Sequence, residues 1–242
     1  MKTIKTLVLI LCVSSILNSY AQTKDKNILK VSYTSGYISD FLVGTLKKQI
    51  QNPDELTKVL SMMGAYKVHN SFYQDLKTKE SLFVVDSISE VKSLSVSGYT
   101  YFTYKNVEGN LYGKELFMGK DFNFQGNVKD LKWKITDEQK KINGYQCKKA
   151  YLENAPKVYV WFTPEIPVNG GPYMFYGLPG LILESDSFFQ SINATIISYE
   201  NRKEFENQLH EVKGMISDEK SITVNEVFAK KENFQRTIEK GN

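Results

Sequence analysis

The sequence predicts a mainly β, α+β fold: a single curved antiparallel sheet or half-open barrel with one or two helices. Three observations carry that expectation. Segments in which apolar and polar residues alternate recur from Leu29 to Tyr199, separated by turn residues. Helical signals are confined to the stretch after Asn52 and to the C-terminal part of the chain. Composition is that of a globular protein: of 242 residues, 41% are apolar and 24% charged, with 15 Tyr and 14 Phe. Such a chain can bury a sizeable core, and its length suits one domain or at most two.

The elements follow in order. Leu29 to Thr34 alternates as a half-buried strand does. Tyr66 to Tyr73 and Ser81 to Asp86 are the next strands. Tyr99–Tyr104 and Leu111–Phe117 flank the polar, Gly-containing segment 105–110, which predicts a hairpin. Lys132 to Ile135 is a short strand. Gln146–Tyr151 and Val158–Phe162 form a pair separated by Asn154-Ala155-Pro156, and Leu181–Glu184 with Ile192–Tyr199 form another. Asn52 caps a short helix, with Pro53 at its first position and Asp54 and Glu55 in its first turn. Thr223 with Glu226 three residues on fits a capping box. Residues 201–215 read either as a helix, from the spacing of Phe205, Leu209 and Val212, or as a loop and strand, from Gly214 and the dense charge. The long irregular stretch from Pro164 to Pro179 is rich in Gly and Pro, and a loop of that length in a compact domain is functional or tightly packed.

The N-terminus has the order of a secretory leader. Lys2 and Lys5 precede an apolar run from Leu7, and Ser19-Tyr20-Ala21 offers small residues where a signal peptidase reads. The expectation is a signal peptide over residues 1–21, cleavage before Gln22, a single β domain over residues 22–242, and a periplasmic or secreted protein. The apolar run is too short to span a bilayer, so an integral membrane protein is not expected. Cys12 does not make a lipoprotein signal, because Leu11 stands where a small residue is needed. Loss of Lys2 and Lys5 lowers the formal charge from +4 to +2. The remaining charges are interspersed and give no electrostatic footprint for nucleic acid. The mature chain keeps one cysteine, Cys147, which reads as a small buried strand residue.

Chemistry templates find little. His69 and His210 are far apart and lie in no recognised motif. There is no H-E-x-x-H, no paired C-x-x-C, no G-x-S-x-G, no dinucleotide fingerprint and no P-loop. No catalytic residue, metal site or cofactor is therefore expected, and the protein reads as a non-enzyme. Glu165 and Glu184 flank the irregular stretch as a carboxylate pair of the kind glycoside hydrolysis uses. Glu165 is expected instead to accept backbone N–H groups in its turn, and Glu184 to mark a strand's exposed end. Tyr159, Trp161, Tyr173, Phe175 and Tyr176 cluster in sequence; they are either core and rim or the wall of an apolar pocket.

The segment Gly177-Leu178-Pro179-Gly180-Leu181-Ile182 is the sharpest motif. Pro179 fixes its own φ and extends Leu178, while two glycines permit positive φ or close backbone approach. This predicts a rigid crossover feeding Leu181-Ile182-Leu183 into a buried strand. With Trp133 and Ile135, the segment from Ile142 to Ala150, and the block from Trp161 to Pro167, it resembles the GLPGLI family of exported Bacteroidetes proteins. Val160 stands where that family has Ala, and both are small and apolar. The resemblance implies export and brings no enzymatic activity with it. The strand order also resembles the half-open barrels of periplasmic lipoprotein carriers, an analogy of architecture alone. The first functional expectation is a binding protein that holds a hydrophobic small molecule, lipid or peptide in the sheet's concavity. The alternative is a structural or assembly factor that contacts an outer-membrane protein, with a hydrolase in third place.

Overall fold

A computed structural model describes residues 26–89, 98–216 and 220–240. The predicted leader and its cleavage point lie outside them. Among the described residues, twelve strands form one sheet. In chain order they are β1 (Ile28–Gly36), β2 (Lys67–Asp75), β3 (Ser81–Ile88), β4 (Gly98–Lys105), β5 (Asn110–Phe117), β6 (Lys120–Asn127), β7 (Trp133–Ile142), β8 (Tyr145–Leu152), β9 (Ala155–Thr163), β10 (Leu181–Ser187), β11 (Gln190–Glu200) and β12 (Ser221–Thr223). Their order across the sheet is β12-β6-β5-β4-β3-β2-β1-β11-β10-β9-β8-β7. The sheet is open and its pairs are antiparallel, except that β12 lies parallel to β6. The fold is thus mainly β, as the alternation predicted.

Side chains on successive strand positions point to opposite faces, and the sheet uses both. Leu29, Val31 and Tyr33 of β1, Phe72 of β2 and Phe83 of β3 enter a large inner core. Their neighbours Ile28, Tyr73, Leu82 and Val84 enter a smaller outer one. Each fully buried side chain of this size contributes about 1.5–3 kcal/mol.

Among the described residues four helices form, where one or two were expected. α1 (Asp40–Gln49) escapes sequence reading because its apolar residues, Phe41, Leu42, Val43 and Leu46, are only partly buried, and Thr45 alone is fully so. It is held by its ends instead. Ser39 caps it, accepting from the Leu42 amide at 3.2 Å. The same hydroxyl donates to the Phe188 carbonyl at 2.8 Å. α2 (Pro53–Ala65) starts as predicted, with the Asn52 side chain accepting from the Asp54 and Glu55 amides at 2.9 and 3.2 Å. The ambiguous stretch is helical: α3 (Arg202–Met215) docks Phe205 and Val212 on the outer core. α4 (Val224–Glu239) carries the predicted capping box, both bonds formed, and lays Val224, Val227 and Phe228 on the inner core. β6 was also unread, since Lys120–Asn127 is polar and buries only Phe124 fully.

Candidate functional site

The strands run between two ends of different character. At one end β9 stops at Thr163, β10 starts at Leu181, and residues 164–180 cross between them. At the other end lie the β5–β6 and β10–β11 hairpins, together with α1, α2 and α4.

The aromatic part of the crossover is tightly packed. Tyr173, Phe175 and Tyr176, three of the five residues predicted as a possible pocket wall, are 2%, 0% and 0% exposed. None of the three is among the residues that line the cavities described below. The crossover folds back under the sheet and drives them into the inner core, where Trp133 stacks edge-on to Phe175 at 5.8 Å. Their polar atoms are engaged: Ser81 donates to the Tyr176 hydroxyl at 3.0 Å, and the Trp133 indole donates to the Tyr176 carbonyl at 2.8 Å. The other two, Tyr159 and Trp161, share a face of β9 beneath Lys149 and Lys140, whose ammonium groups sit 4.6 and 4.4 Å from the respective ring centres.

The two motif glycines do different work. Gly177 has φ +96°, and a Cβ there would meet nothing closer than the Val128 carbonyl oxygen at 3.7 Å, so it is needed for conformation. Gly180 is needed for room, because a Cβ there would lie 2.1 Å from the Thr163 carbonyl oxygen. Leu178, Leu181 and Ile182 are buried, Pro179 is exposed, and the Gly180 amide donates to the Leu178 carbonyl at 2.9 Å around the proline.

The carboxylates that flank the motif are committed separately. Glu165 accepts from the Gln146 amide of β8 at 2.7 Å, not from its own turn. Glu184 takes Lys140 on both oxygens at 2.7 and 2.8 Å. Cys147 is buried in β8, and burial pushes its thiol up to about 11. His69 and His210 are exposed. No group of residues suited to a metal ion occurs among the described residues, and no described helix is long and apolar enough to cross a membrane.

The opposite end, the mouth of the sheet, is open. A cavity of about 300 Å³ lies between α1, α2, α4 and the two hairpins, within the range of small-molecule sites. Leu42, Met63, Phe117, Phe189, Phe234 and Ile238 make it apolar. The rings of Phe117 and Phe189 pack on Phe234 at 5.7 and 5.3 Å. At one side lies a buried ion pair of Glu115 and Lys231, with the Tyr173 hydroxyl donating to Glu115 at 2.8 Å and accepting from Lys231 at 3.2 Å. The Tyr37 hydroxyl also lines the cavity, buried beside the Gly98 backbone and the Gln190 side chain. Burial pushes its pKa far above the ordinary tyrosine range, so it stays protonated.

Sequence reading missed this cavity because its residues come from six separate parts of the chain. One signal was present. Hairpin turns favour Asn, Asp and Gly, and the β7–β8 turn obeys with Asn143-Gly144 at φ 50° and 88°. The β5–β6 turn instead places Met118 at φ 53°, and the β10–β11 turn places Phe188 at φ 51°, ahead of Phe189. Bulky apolar residues at positive φ in turns are uncommon, and here both turns border the apolar cavity.

Residues 152–184 match the family described as "Protein of unknown function (Porph_ging)". That span contains β9, the crossover and the start of β10. Two structures of PNGF-II align with TM-scores of 0.43 and 0.45 at 16% and 14% identity, covering 74% and 86% of this chain. The alignments take in 30% and 33% of the PNGF-II chains, so this chain spans about a third of their length. An uncharacterized conserved protein from Thermus thermophilus aligns with a TM-score of 0.33 at 6% identity, over 88% of this chain and 98% of that one. No curated protein matches the chain.

Proposed function

We propose that the protein is an exported, non-enzymatic binding protein that holds a small, uncharged, hydrophobic molecule in the cavity between α1, α2, α4 and the two hairpins. The observation that carries this reading is the pair of apolar hairpin turns beside an open apolar cavity. A core could be closed more cheaply with polar turns, and Met118 is left 46% exposed at this rim. The leader-like N-terminus and the resemblance to the exported GLPGLI family support the location.

The charge balance argues for an uncharged ligand. Glu115 and Lys231 neutralise each other, so an ionised head buried beside them would lack a counter-ion. The Tyr37 hydroxyl, which stays protonated, adds a neutral polar group to the wall.

The test is fluorescence titration with N-phenyl-1-naphthylamine, an uncharged apolar probe. Saturable binding is expected, abolished by Leu42→Trp, which fills the cavity. Native mass spectrometry of protein from its own host should show an uncharged adduct. Absence of saturable probe binding would sink the proposal. A stoichiometric crosslinked membrane partner in its place would favour the assembly-factor alternative.

A further inference from the structure

We infer a second binding site, for a small organic carboxylate, at the crossover end of the sheet. It is a cavity of about 540 Å³ between the Pro179-Gly180 arm of the crossover and the β2–β3 and β4–β5 turns. Its chemistry is set by Lys105 and Gln74, which are 5% and 1% exposed.

Lys105 is a buried cation that lacks an anion. Its ammonium donates to the Lys79 carbonyl and to the Asn106 carbonyl, the latter at 3.3 Å. It lies 5.9 Å from the centre of the Tyr176 ring. Among the described residues no carboxylate pairs with it directly. The acid that acts on it through space, Glu80, is already engaged by Tyr104 at 2.7 Å and by Lys213 at 3.1 Å. Burial accordingly lowers the pKa of Lys105, with Glu80 opposing. A buried ammonium bonded only to neutral carbonyls carries a desolvation cost that an incoming anion would relieve.

Gln74 supplies the second, independent observation. Its Oε1 is buried without a hydrogen-bond partner. The two ends of an amide are interchangeable by rotation, so the same side chain can present N–H to a ligand. With its amide turned in this way, Gln74 would set an N–H beside the Lys105 ammonium, and the two together suit the two oxygens of a carboxylate.

The walls choose among anions. Val107, Val128, Pro167 and Pro179 are apolar, which favours an organic acid over an inorganic ion. The charges at the cavity are Lys79 and Lys105 against Glu108, an excess of one positive charge, which matches a single carboxylate better than a dianion. This site is remote from the mouth and opposite in chemistry. The motif residues Pro179 and Gly180 therefore form one wall of a polar site, in addition to closing the fold.

The experiment is a methyl-NMR titration of the full chain with sodium hexanoate, hexan-1-ol and sodium sulfate, read at Val107 and Val128. Hexanoate should shift both residues saturably, and hexanol and sulfate should bind at least about tenfold more weakly. Lys105→Met keeps the stem, removes the charge and should cost hexanoate about tenfold or more, while probe binding at the mouth is retained. If Lys105→Met does not fold, Gln74→Leu and the wild-type selectivity decide in its place. Equal binding of hexanol, stronger binding of sulfate, undiminished binding by the variant, or no saturable shift in the wild type would each overturn the site. The apolar probe at the mouth reads a different cavity, so either assignment can fail without the other.

Discussion

The crossover and the mouth are both rich in aromatic residues, and they use them in opposite ways. At the crossover, Tyr173, Phe175 and Tyr176 are neighbours in sequence and buried together, with their polar atoms paired. At the mouth, Phe117, Phe189 and Phe234 are strangers in sequence that meet only in space, around an open cavity. Aromatic density along a chain is thus a poor guide to a binding site here. What separates the two aromatic clusters is whether their rings border an open apolar cavity.

The sharpest break in the comparison comes from the crossover glycines. Gly180→Val should destabilise by about 4–5 kcal/mol, the exceptional range for one substitution, because its Cβ would collide with the Thr163 backbone, which cannot move without disturbing β9. Gly177→Ala should cost only about 1–2 kcal/mol, since it meets strain at positive φ but no clash. Chemical denaturation measures both. Equal losses would show that the two glycines do the same work, against the geometry.

The buried pair at the mouth should rank next. Lys231→Met leaves Glu115, which is almost fully buried, without its cation, and should cost about 3–4 kcal/mol. Replacing both partners, with Glu115→Leu beside Lys231→Met, should recover most of that loss, because two matched apolar side chains need no counter-charge. A double variant no more stable than the single one would mean that the pair is held by more than mutual compensation, with the Tyr173 hydroxyl as the first suspect.

The contrast also explains what the sequence disclosed. Strands were legible because one physical rule, alternation, acts on adjacent residues: Leu29, Val31 and Tyr33 announce a face by themselves. Helix caps were legible for the same reason, since Asn52 and Thr223 bond within three residues. The crossover could be read from Pro179 and its glycines, although not which glycine is short of space. α1 was illegible because tertiary anchors hold it: Ser39 to Phe188, and the Asp40 amide to Asp186 at 3.0 Å. The candidate site was illegible because its residues lie far apart in the chain. The apolar turn residues, Met118 and Phe188-Phe189, were the local clue.

Those anchors yield a pH dependence confined to the mouth side. Burial pushes the Asp186 carboxyl up to about 6, and the nearby Asp40 and Glu184 carboxylates add to the effect, against the Asp40 amide that favours the charged form. A raised acid is destabilising once ionised. Its penalty is absent below about pH 4, grows as pH rises towards about 6, and is complete above that. Asp186→Asn keeps an oxygen for the Asp40 amide and removes the charge. It should stabilise the protein by about 1–3 kcal/mol at pH 7 and by nearly nothing at pH 4. A pH-independent difference between variant and wild type, measured by denaturant unfolding across that range, would show that Asp186 acts through packing instead.

The smallest effect on stability should accompany a large effect on binding. Met118 is 46% exposed at φ 53° in the β5–β6 turn, so the fold does not depend on its side chain. Met118→Lys should change stability by less than about 0.5 kcal/mol, as surface substitutions do. It also places a cation at the rim of a cavity whose own charges already cancel. An uncharged apolar probe should then bind about tenfold more weakly, because the rim loses apolar contact and gains a group that must stay hydrated. The matching change at the other end, Pro179→Ala, alters an exposed residue of the crossover and should leave the mouth probe untouched. If Met118→Lys binds the probe like wild type, the apolar turns are not part of a binding site, and the mouth differs from the crossover only in being less well packed.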